Sequence, residues 1–244
     1  MKLTFKQFVS ESLEDKGAFK AIFVVGIPGA GKSYTISKLH GIVSPRIINT
    51  DRALEFLSKK FNKPANSDTW NLFRDSALRI TSGSLQSYLD GVLPLFIDGT
   101  SNNTSNILSR AGILESLGYD VGMVFVTAPL DVAIKRAEER AKKIGRAVDE
   151  DFIRQVHEQA EENKEYFKGK FHFFKEVNNS EDALTDEVLN KVFKSVQSFY
   201  VQPIENPVGK RLKEKMIDTK VKTLVPEIFS KEALKKKVDG WYRE

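Results

Sequence analysis

The sequence predicts an α/β fold in which a parallel sheet carries helices on both faces and a helical appendage follows the sheet. Short apolar runs alternate with amphipathic stretches between residues 20 and 200, and each parallel return requires a helix-length crossover. A glycine-rich segment lies directly after the first apolar run, at residues 26–33. With 244 residues, of which 41% are hydrophobic and 29% charged, the chain suits one such domain with appendages better than two full domains.

The first predicted strand covers residues 21–25, and the segment after it, G-I-P-G-A-G-K-S, fits the phosphate-binding pattern G-x-x-x-x-G-K-[ST]. Its glycines allow backbone N–H groups to turn inward around an anion, and the following helix adds the positive end of its dipole. Lys32 is expected to reach the β- and γ-phosphates, and Ser33 to contact Mg²⁺. The pattern therefore predicts a P-loop NTPase-type fold that binds ATP, or alternatively GTP. The predicted nucleotide contacts are Gly26, Ile27, Pro28, Gly29, Ala30, Gly31, Lys32, Ser33 and Tyr34.

The remaining elements follow from hydrophobic periodicity and from stop signals. Further strands are predicted at residues 46–50, 92–97, 120–127 and 171–177. Further helices are predicted at residues 53–61, 67–88, 107–117, 129–143, 149–168 and 181–200. Gly118 ends the third of these helices, and Pro129 begins the fourth.

The chain is predicted to divide into three parts. Residues 1–17 form an N-terminal amphipathic segment, residues 18–202 the P-loop domain with a lid at about 142–152, and residues 203–244 a basic helical appendage. Pro203 and Pro207 mark the second boundary, and helical pieces are expected at about 210–222 and 230–238. The first eleven residues also resemble the removable capsid-targeting peptides of large tailed phages, but a docking helix is the favoured interpretation.

The net charge of +5 is unevenly spread, because residues 203–244 contain eleven Lys or Arg against seven Asp or Glu. Such a tail suits nucleic acid or another acidic partner, although the interleaved acids favour a solvated helix face. No apolar run approaches the roughly 20 residues that cross a bilayer, and no secretory signal is present, so we expect a cytoplasmic protein without a membrane partner. The absence of cysteine excludes disulfides and thiolate metal sites.

Two aspartates follow predicted strands, at the edge of the sheet where ligands of parallel α/β proteins collect. Asp51 is the candidate base that orients and deprotonates an acceptor hydroxyl; alternatively it is the N-cap of the next helix. Asp98 has the position of a Walker B acid that holds a water of Mg²⁺, but it also suits acceptor binding or a turn before Gly99. Thr100 and Asn102 add neutral donors suited to a hydroxylated acceptor.

Three arginines supply the positive charge that phosphoryl transfer requires. Arg136 and Arg140 are four residues apart and therefore share a helix face, and Arg146 follows in the predicted lid. We expect them to close over the nucleotide phosphates. The alternative is a surface of i,i+4 salt bridges, since acids and bases balance in this region.

With these residues in view, the chain resembles the zeta-toxin and polynucleotide-kinase branch of P-loop kinases, phage-encoded members in particular. The P-loop, the strand-end segments N-T-D at 49–51 and D-G-T at 98–100, and the three arginines carry the resemblance, which covers about residues 19–200. It implies transfer of the γ-phosphate of ATP to a hydroxyl of a small molecule, a nucleotide sugar or a polynucleotide 5′ end, with Asp51 as base. Polynucleotide kinases have an arginine three residues after the base, whereas this chain has Leu54 at that position. Arg52 instead directly follows Asp51 and is the candidate arginine for substrate binding.

The alternative function is a nucleotide-binding structural or virion-associated protein with little or no turnover. The N-terminal segment and the basic appendage motivate it. A phage-encoded kinase would act in the host cytoplasm, whereas the alternative places the protein in the virion. A switch GTPase is disfavoured because the chain lacks an N-K-x-D motif.

Overall fold

The computed structural model describes residues 16–63, 67–144, 148–180 and 185–218. Three predictions therefore lie outside the described residues: the helix within residues 1–15, the centre of the lid with Arg146, and the helical piece at 230–238. Within the described ranges, no helix is long and apolar enough to span a membrane.

The centre of the fold is a sheet of five parallel strands in the order β2-β3-β1-β4-β5. The strands are β1 (Lys20–Gly26), β2 (Arg46–Ile48), β3 (Leu95–Thr100), β4 (Asp120–Thr127) and β5 (Phe173–Asn178). The prediction of a parallel sheet is confirmed. Since β1 lies in the middle, the loop that follows it is flanked by the ends of β3 and β4.

Nine helices accompany the strands in the described part of the chain. They are α1 (Lys32–Lys38), α2 (Thr50–Lys60), α3 (Ser67–Asp90), α4 (Thr104–Ser116), α5 (Leu130–Ile144), α6 (Glu150–Glu158), α7 (Ala160–Lys168), α8 (Asp186–Val201) and α9 (Pro207–Asp218). The single helix predicted at 149–168 is wrong, because the chain turns at Gln159. The turn has a packing reason: Val156 contributes to the core on one face of the sheet, and Phe167 to the core on the other.

The sheet separates two hydrophobic cores because side chains alternate between its faces. Phe23 and Val25 of β1 join the core formed with α3, α4 and α9, whereas Ile22 and Val24 join the core formed with α1, α5, α6 and α8. All seven residues of β1 are buried. Because helices cover both faces of the sheet, a ligand can approach the central strand β1 at the ends of the strands.

A buried ion pair lies at the end of the sheet where β1 and β4 begin. Lys20 is 2% exposed, and its Nζ donates to Asp120 Oδ2 at 2.7 Å and to the carbonyl of Pro203 at 3.0 Å. Asp120 also accepts from the backbone N–H groups of Glu205 and Asn206. The predicted domain boundary at residue 203 therefore lies in a segment that is bonded to the sheet. Leu212 of α9 continues this contact, since it packs into one of the two cores.

Candidate active site

The loop between β1 and α1 has the backbone that its glycines predict. Gly29 and Gly31 have φ of 80° and 86°, in the left-handed region that glycine favours. A Cβ atom on Gly29 would collide with the carbonyl of Ala133 in α5, and one on Gly31 would collide with the side-chain amide of Asn179. Gly31 is also the N-cap of α1. The glycines are thus required both by the turn and by its close neighbours.

Lys32 lies against this loop. Its Nζ donates to the carbonyl oxygens of Gly26 and Ile27, each at 3.0 Å. Charged phosphate oxygens are stronger acceptors than neutral carbonyls, so an anion in the loop would compete well for the same ammonium group. The left-handed glycines, the helix N-terminus and this ammonium group together fit the phosphates of a nucleotide.

Asn179, directly after β5, anchors the P-loop to the sheet. Its backbone N–H donates to the carbonyl of Thr127 at 2.7 Å, and its Nδ2 donates to the carbonyl of Ala30 at 2.7 Å. Only 6% of the residue is exposed. Sequence reasoning missed Asn179, although it directly follows β5. The predicted strand at 92–97 has to be corrected to Leu95–Thr100, so Asp98, which was expected after the strand, lies within β3.

Arg136 reaches the same place from α5. Its Nη1 donates to the backbone carbonyl of Asn179 at 2.9 Å and lies 3.9 Å from where a Cβ of Gly31 would be. The structure therefore brings Arg136, which the sequence assigned to the transferring phosphate, to the P-loop. A backbone carbonyl orients this guanidinium without neutralising its charge.

On the other side of β1, Asn49 joins the two aspartates. Its Nδ2 donates to Asp98 Oδ2 at 2.5 Å, and its Oδ1 accepts from the backbone N–H groups of Asp51 and Arg52 at 2.7 and 3.3 Å. Asn49 is therefore the N-cap of α2, and the alternative that Asp51 is the cap is wrong. The predicted strand at 46–50 ends at Ile48, because Asn49 and Thr50 already belong to the cap and to the first turn of the helix.

The half-buried Asp51 lies in the first turn of α2, where the helix dipole stabilises a carboxylate. Arg52 is exposed beside it. Burial lowers the pKa of His40, and the Arg52 charge lowers it further. The predicted substrate side thus combines one carboxylate and one cation at the end of β2.

The last residue of β3 and the loop after it carry the predicted neutral donors. Thr100 Oγ1 donates to Asn102 Oδ1 at 2.5 Å, and both side chains are exposed. Asn163 of α7 holds this loop by donating Nδ2 to the carbonyl of Ser101 at 2.9 Å. Asn163 was not predicted, because it reads as one more polar residue on a polar helix.

Arg140 does not share the position of Arg136. Its Nη2 lies 3.5 Å from Glu55 Oε1, one turn after Asp51 on α2, and the two side chains are 42% and 36% exposed. Arg140 therefore links α5 to the helix that carries the candidate base, while Arg136 faces the P-loop.

A pocket of about 200 Å³ lies beside the P-loop, at the ends of β4 and β5. Its lining residues are Ile27, Thr127, Ala128, Pro129, His157, Ala160, Glu161 and Asn178. His157 is half-buried there.

Ser33 and Asp98, the predicted Mg²⁺ ligands, offer a hydroxyl and a carboxylate oxygen, which are donors that Mg²⁺ accepts. Across the described ranges, no three His, Asp or Glu side chains form a group that could hold a metal ion. The chemistry of these two residues fits a Mg²⁺ ion that takes its other ligands from phosphates and water.

Comparisons with known proteins identify a family and similar folds. A family model of the zeta toxins matches residues 8–187. A candidate kinase from Chloroflexus aurantiacus is similar in structure, with a TM-score of 0.54 and 13% identity over 74% of this chain and 98% of that one. The PezAT toxin–antitoxin system of Streptococcus pneumoniae gives a TM-score of 0.46 and 17% identity over 91% and 99% of the two chains. A gluconokinase from Sinorhizobium meliloti gives a TM-score of 0.41 and 16% identity over 83% of this chain and 98% of that one. At these identities the structural likeness concerns the fold alone.

Proposed function

Because the chain belongs to the zeta toxin family, we propose that it is a P-loop kinase that transfers the γ-phosphate of ATP to a hydroxyl group. The observation that carries the proposal is the arrangement of two half-sites around the end of β1. The P-loop with Lys32 and Arg136 forms the donor half, and Asn49 with its two aspartates forms the acceptor half.

In the donor half, the loop N–H groups and Lys32 would bind the phosphates, and Tyr34, which is 47% exposed in the first turn of α1, would contact the nucleotide. Ser33 would hold Mg²⁺ directly and Asp98 would hold it through a bound water, and the ion would offset negative charge on the phosphates. Arg136 meets the charge that develops on the transferred group, and Arg140 and Arg146 complete the positive set from the lid side. GTP is the alternative donor.

In the acceptor half, Asp51 accepts the proton of the hydroxyl that attacks the phosphate. The acceptor is oriented by Arg52, Thr100 and Asn102. The alternative role of Asp98 is to bind the acceptor instead of a water molecule of Mg²⁺. The acceptor classes that this half-site admits are a small molecule, a nucleotide sugar and a polynucleotide end. The basic appendage is a second place where an acidic partner could bind.

Transfer of radiolabel from γ-labelled ATP to each acceptor class tests the proposal. Lys32→Ala is expected to abolish ATP binding, and Asp51→Asn to keep ATP binding but lower transfer at least a hundredfold. Lys38→Ala, on the exposed last turn of α1, and Asp68→Asn, in the first turn of α3, are the matched controls and should behave as wild type.

Two outcomes would reject the proposal in different ways. Full transfer by Asp51→Asn would remove the base role of Asp51 and leave the donor half intact. Binding of ATP without transfer to any acceptor class would favour a nucleotide-binding structural protein.

A further inference from the structure

One ion pair joins the donor half of the candidate site to the acceptor half. Arg140 belongs to α5, which contacts the P-loop, and Glu55 belongs to α2, which carries the candidate base. Arg140 Nη2 lies 3.5 Å from Glu55 Oε1, although the two residues are 85 positions apart in the chain. Their side chains are 42% and 36% exposed, so the pair is in contact with solvent and open to exchange of partners.

The guanidinium group of Arg140 is within reach of the P-loop. Arg136, one turn earlier on the same face of α5, has its Nη1 3.9 Å from where a Cβ of Gly31 would be. The four residues between the two arginines advance the helix by about 6 Å, which is less than the length of an extended arginine side chain. Exposed side chains change rotamer within nanoseconds. Arg140 can therefore move from Glu55 to the phosphate site while α5 stays in place.

A nucleotide phosphate is a stronger partner for Arg140 than Glu55 is. The separation of 3.5 Å between Nη2 and Oε1 is at the long end of the range for a hydrogen bond. An ion pair between half-exposed side chains contributes little to stability, because water and salt screen it and both side chains lose conformational freedom. A phosphate group instead offers several charged oxygens that match the planar guanidinium in a bidentate contact. A bound nucleotide therefore wins the competition for Arg140.

We infer that Glu55 is a positioning residue, which holds Arg140 on α2 until a nucleotide binds and then releases it to the phosphates. The inference rests on the proposed binding of ATP at the P-loop, but not on transfer to any acceptor. Because Arg140 must leave Glu55 before it meets a phosphate, Glu55 lowers the apparent affinity for ATP. The release also breaks the link between α5 and α2, so the helix of the candidate base is freed from α5 when the donor is in place.

Equilibrium titration of the full chain with ATP in the presence of Mg²⁺ tests this competition. Glu55→Gln leaves Arg140 free before ATP arrives, so the Kd should fall about two- to fourfold, as the strength of an exposed ion pair implies. Arg140→Ala should raise the Kd about tenfold, because a charge-assisted contact with phosphate is lost. The sign of the Glu55→Gln effect is decisive. Loss of a pair with a structural role alone would leave the Kd unchanged or raise it.

The double variant E55Q/R140A shows whether the gain in affinity passes through Arg140. Its Kd should equal that of Arg140→Ala, since Glu55 then has no arginine to withhold from the phosphates. The matched control is Glu139→Gln, which removes the same charge from an exposed position beside Arg140 and should bind ATP as wild type does. A gain that persists in the double variant, or an equal gain in the control, would reduce the effect to net charge and overturn the inference. Unchanged thermal midpoints check that every variant is folded.

The same titrations keep this inference distinct from the proposed kinase. If ATP binding is lost in Lys32→Ala but Glu55→Gln binds no more tightly than wild type, the role of Glu55 is rejected and the donor half stands. Tighter ATP binding by Glu55→Gln, without transfer to any acceptor class, would reject the kinase and leave the competition for Arg140 standing. Failure of the wild-type chain to bind ATP would reject both.

Discussion

The side chain of Asn49 connects the Asp98 carboxylate, in the second half of β3, to the first turn of α2, where Asp51 lies. The same side-chain amide donates to a residue of β3 and accepts from the first turn of the helix that follows β2. A displacement of either strand end would move both aspartates together.

This connection predicts that two substitutions of Asn49 will differ. Asn49→Ala removes the cap and should lower the free energy of unfolding by about 1 kcal/mol, together with transfer activity. Asn49→Ser keeps a capping oxygen but loses the amide that binds Asp98, so it should retain stability and lose activity. Chemical denaturation and transfer assays measure the two effects, with Thr185→Ala, which removes the cap of α8, as the control for stability alone. An active Ser variant would contradict the prediction.

Asn179 yields a prediction about nucleotide affinity. Asn179→Ala leaves the P-loop carbonyl of Ala30 without its donor and frees the space beside Gly31, so the loop should lose its fixed geometry. We expect the Kd for ATP to rise about tenfold, consistent with the loss of one buried hydrogen bond. Equilibrium titration with ATP measures it. Asn190→Ala, on the exposed side of α8, is the matched control. An unchanged Kd in Asn179→Ala would contradict the expectation that Asn179 fixes the geometry of the P-loop.

The order of elements and the P-loop were predictable because they depend on local signals. Apolar runs identified the strands, and the glycine pattern identified the loop without any tertiary information. The strand-end rule also located Asp51 and Asp98. The sequence could not show that Asn49, rather than Asp51, caps α2, since both residue types cap well and only the end of β2 at Ile48 decides between them.

The parts of the site that escaped prediction depend on contacts distant in the sequence. Asn179 meets a loop 149 positions away, and Asn163 meets a carbonyl 62 positions away. Arg136 and Arg140 share a helix face by spacing, yet they bond to different elements because α5 passes between the P-loop and α2. Spacing along one helix does not contain that information.

The buried pair of Lys20 and Asp120 predicts a large effect on stability. Lys20→Met would leave Asp120 without its charged partner inside the protein, and we expect the free energy of unfolding to fall by about 3–5 kcal/mol. Urea denaturation measures the loss. The control Lys191→Met breaks the exposed pair with Glu187, whose side chains are 73% and 77% exposed, and should change stability by less than about 0.5 kcal/mol. Similar losses in both variants would contradict the expected contribution of the Lys20–Asp120 pair to stability.

His40 predicts a dependence of stability on pH. Burial and the Arg52 charge hold its pKa in the folded protein below the ordinary 6.5, so the unfolded chain binds the proton more tightly. Its contribution to stability is therefore fully present above pH 6.5 and is lost as pH falls from 6.5 through the lowered pKa. Thermal midpoints between pH 8 and pH 5 should fall less in His40→Gln than in wild type. His172→Gln, at an exposed position before β5, should follow the wild-type curve, and identical curves for all three proteins would refute the role of His40.

The eight residues of β4 connect Asp120, which binds the segment before α9, to Thr127, whose carbonyl binds Asn179 beside the P-loop. A strand of this length spans roughly 25 Å, so α9 starts at the opposite end of β4 from the P-loop. Immobilisation through the exposed Lys210 would consequently leave the P-loop facing bulk solution, which makes α9 the preferred attachment point for surface-based binding measurements.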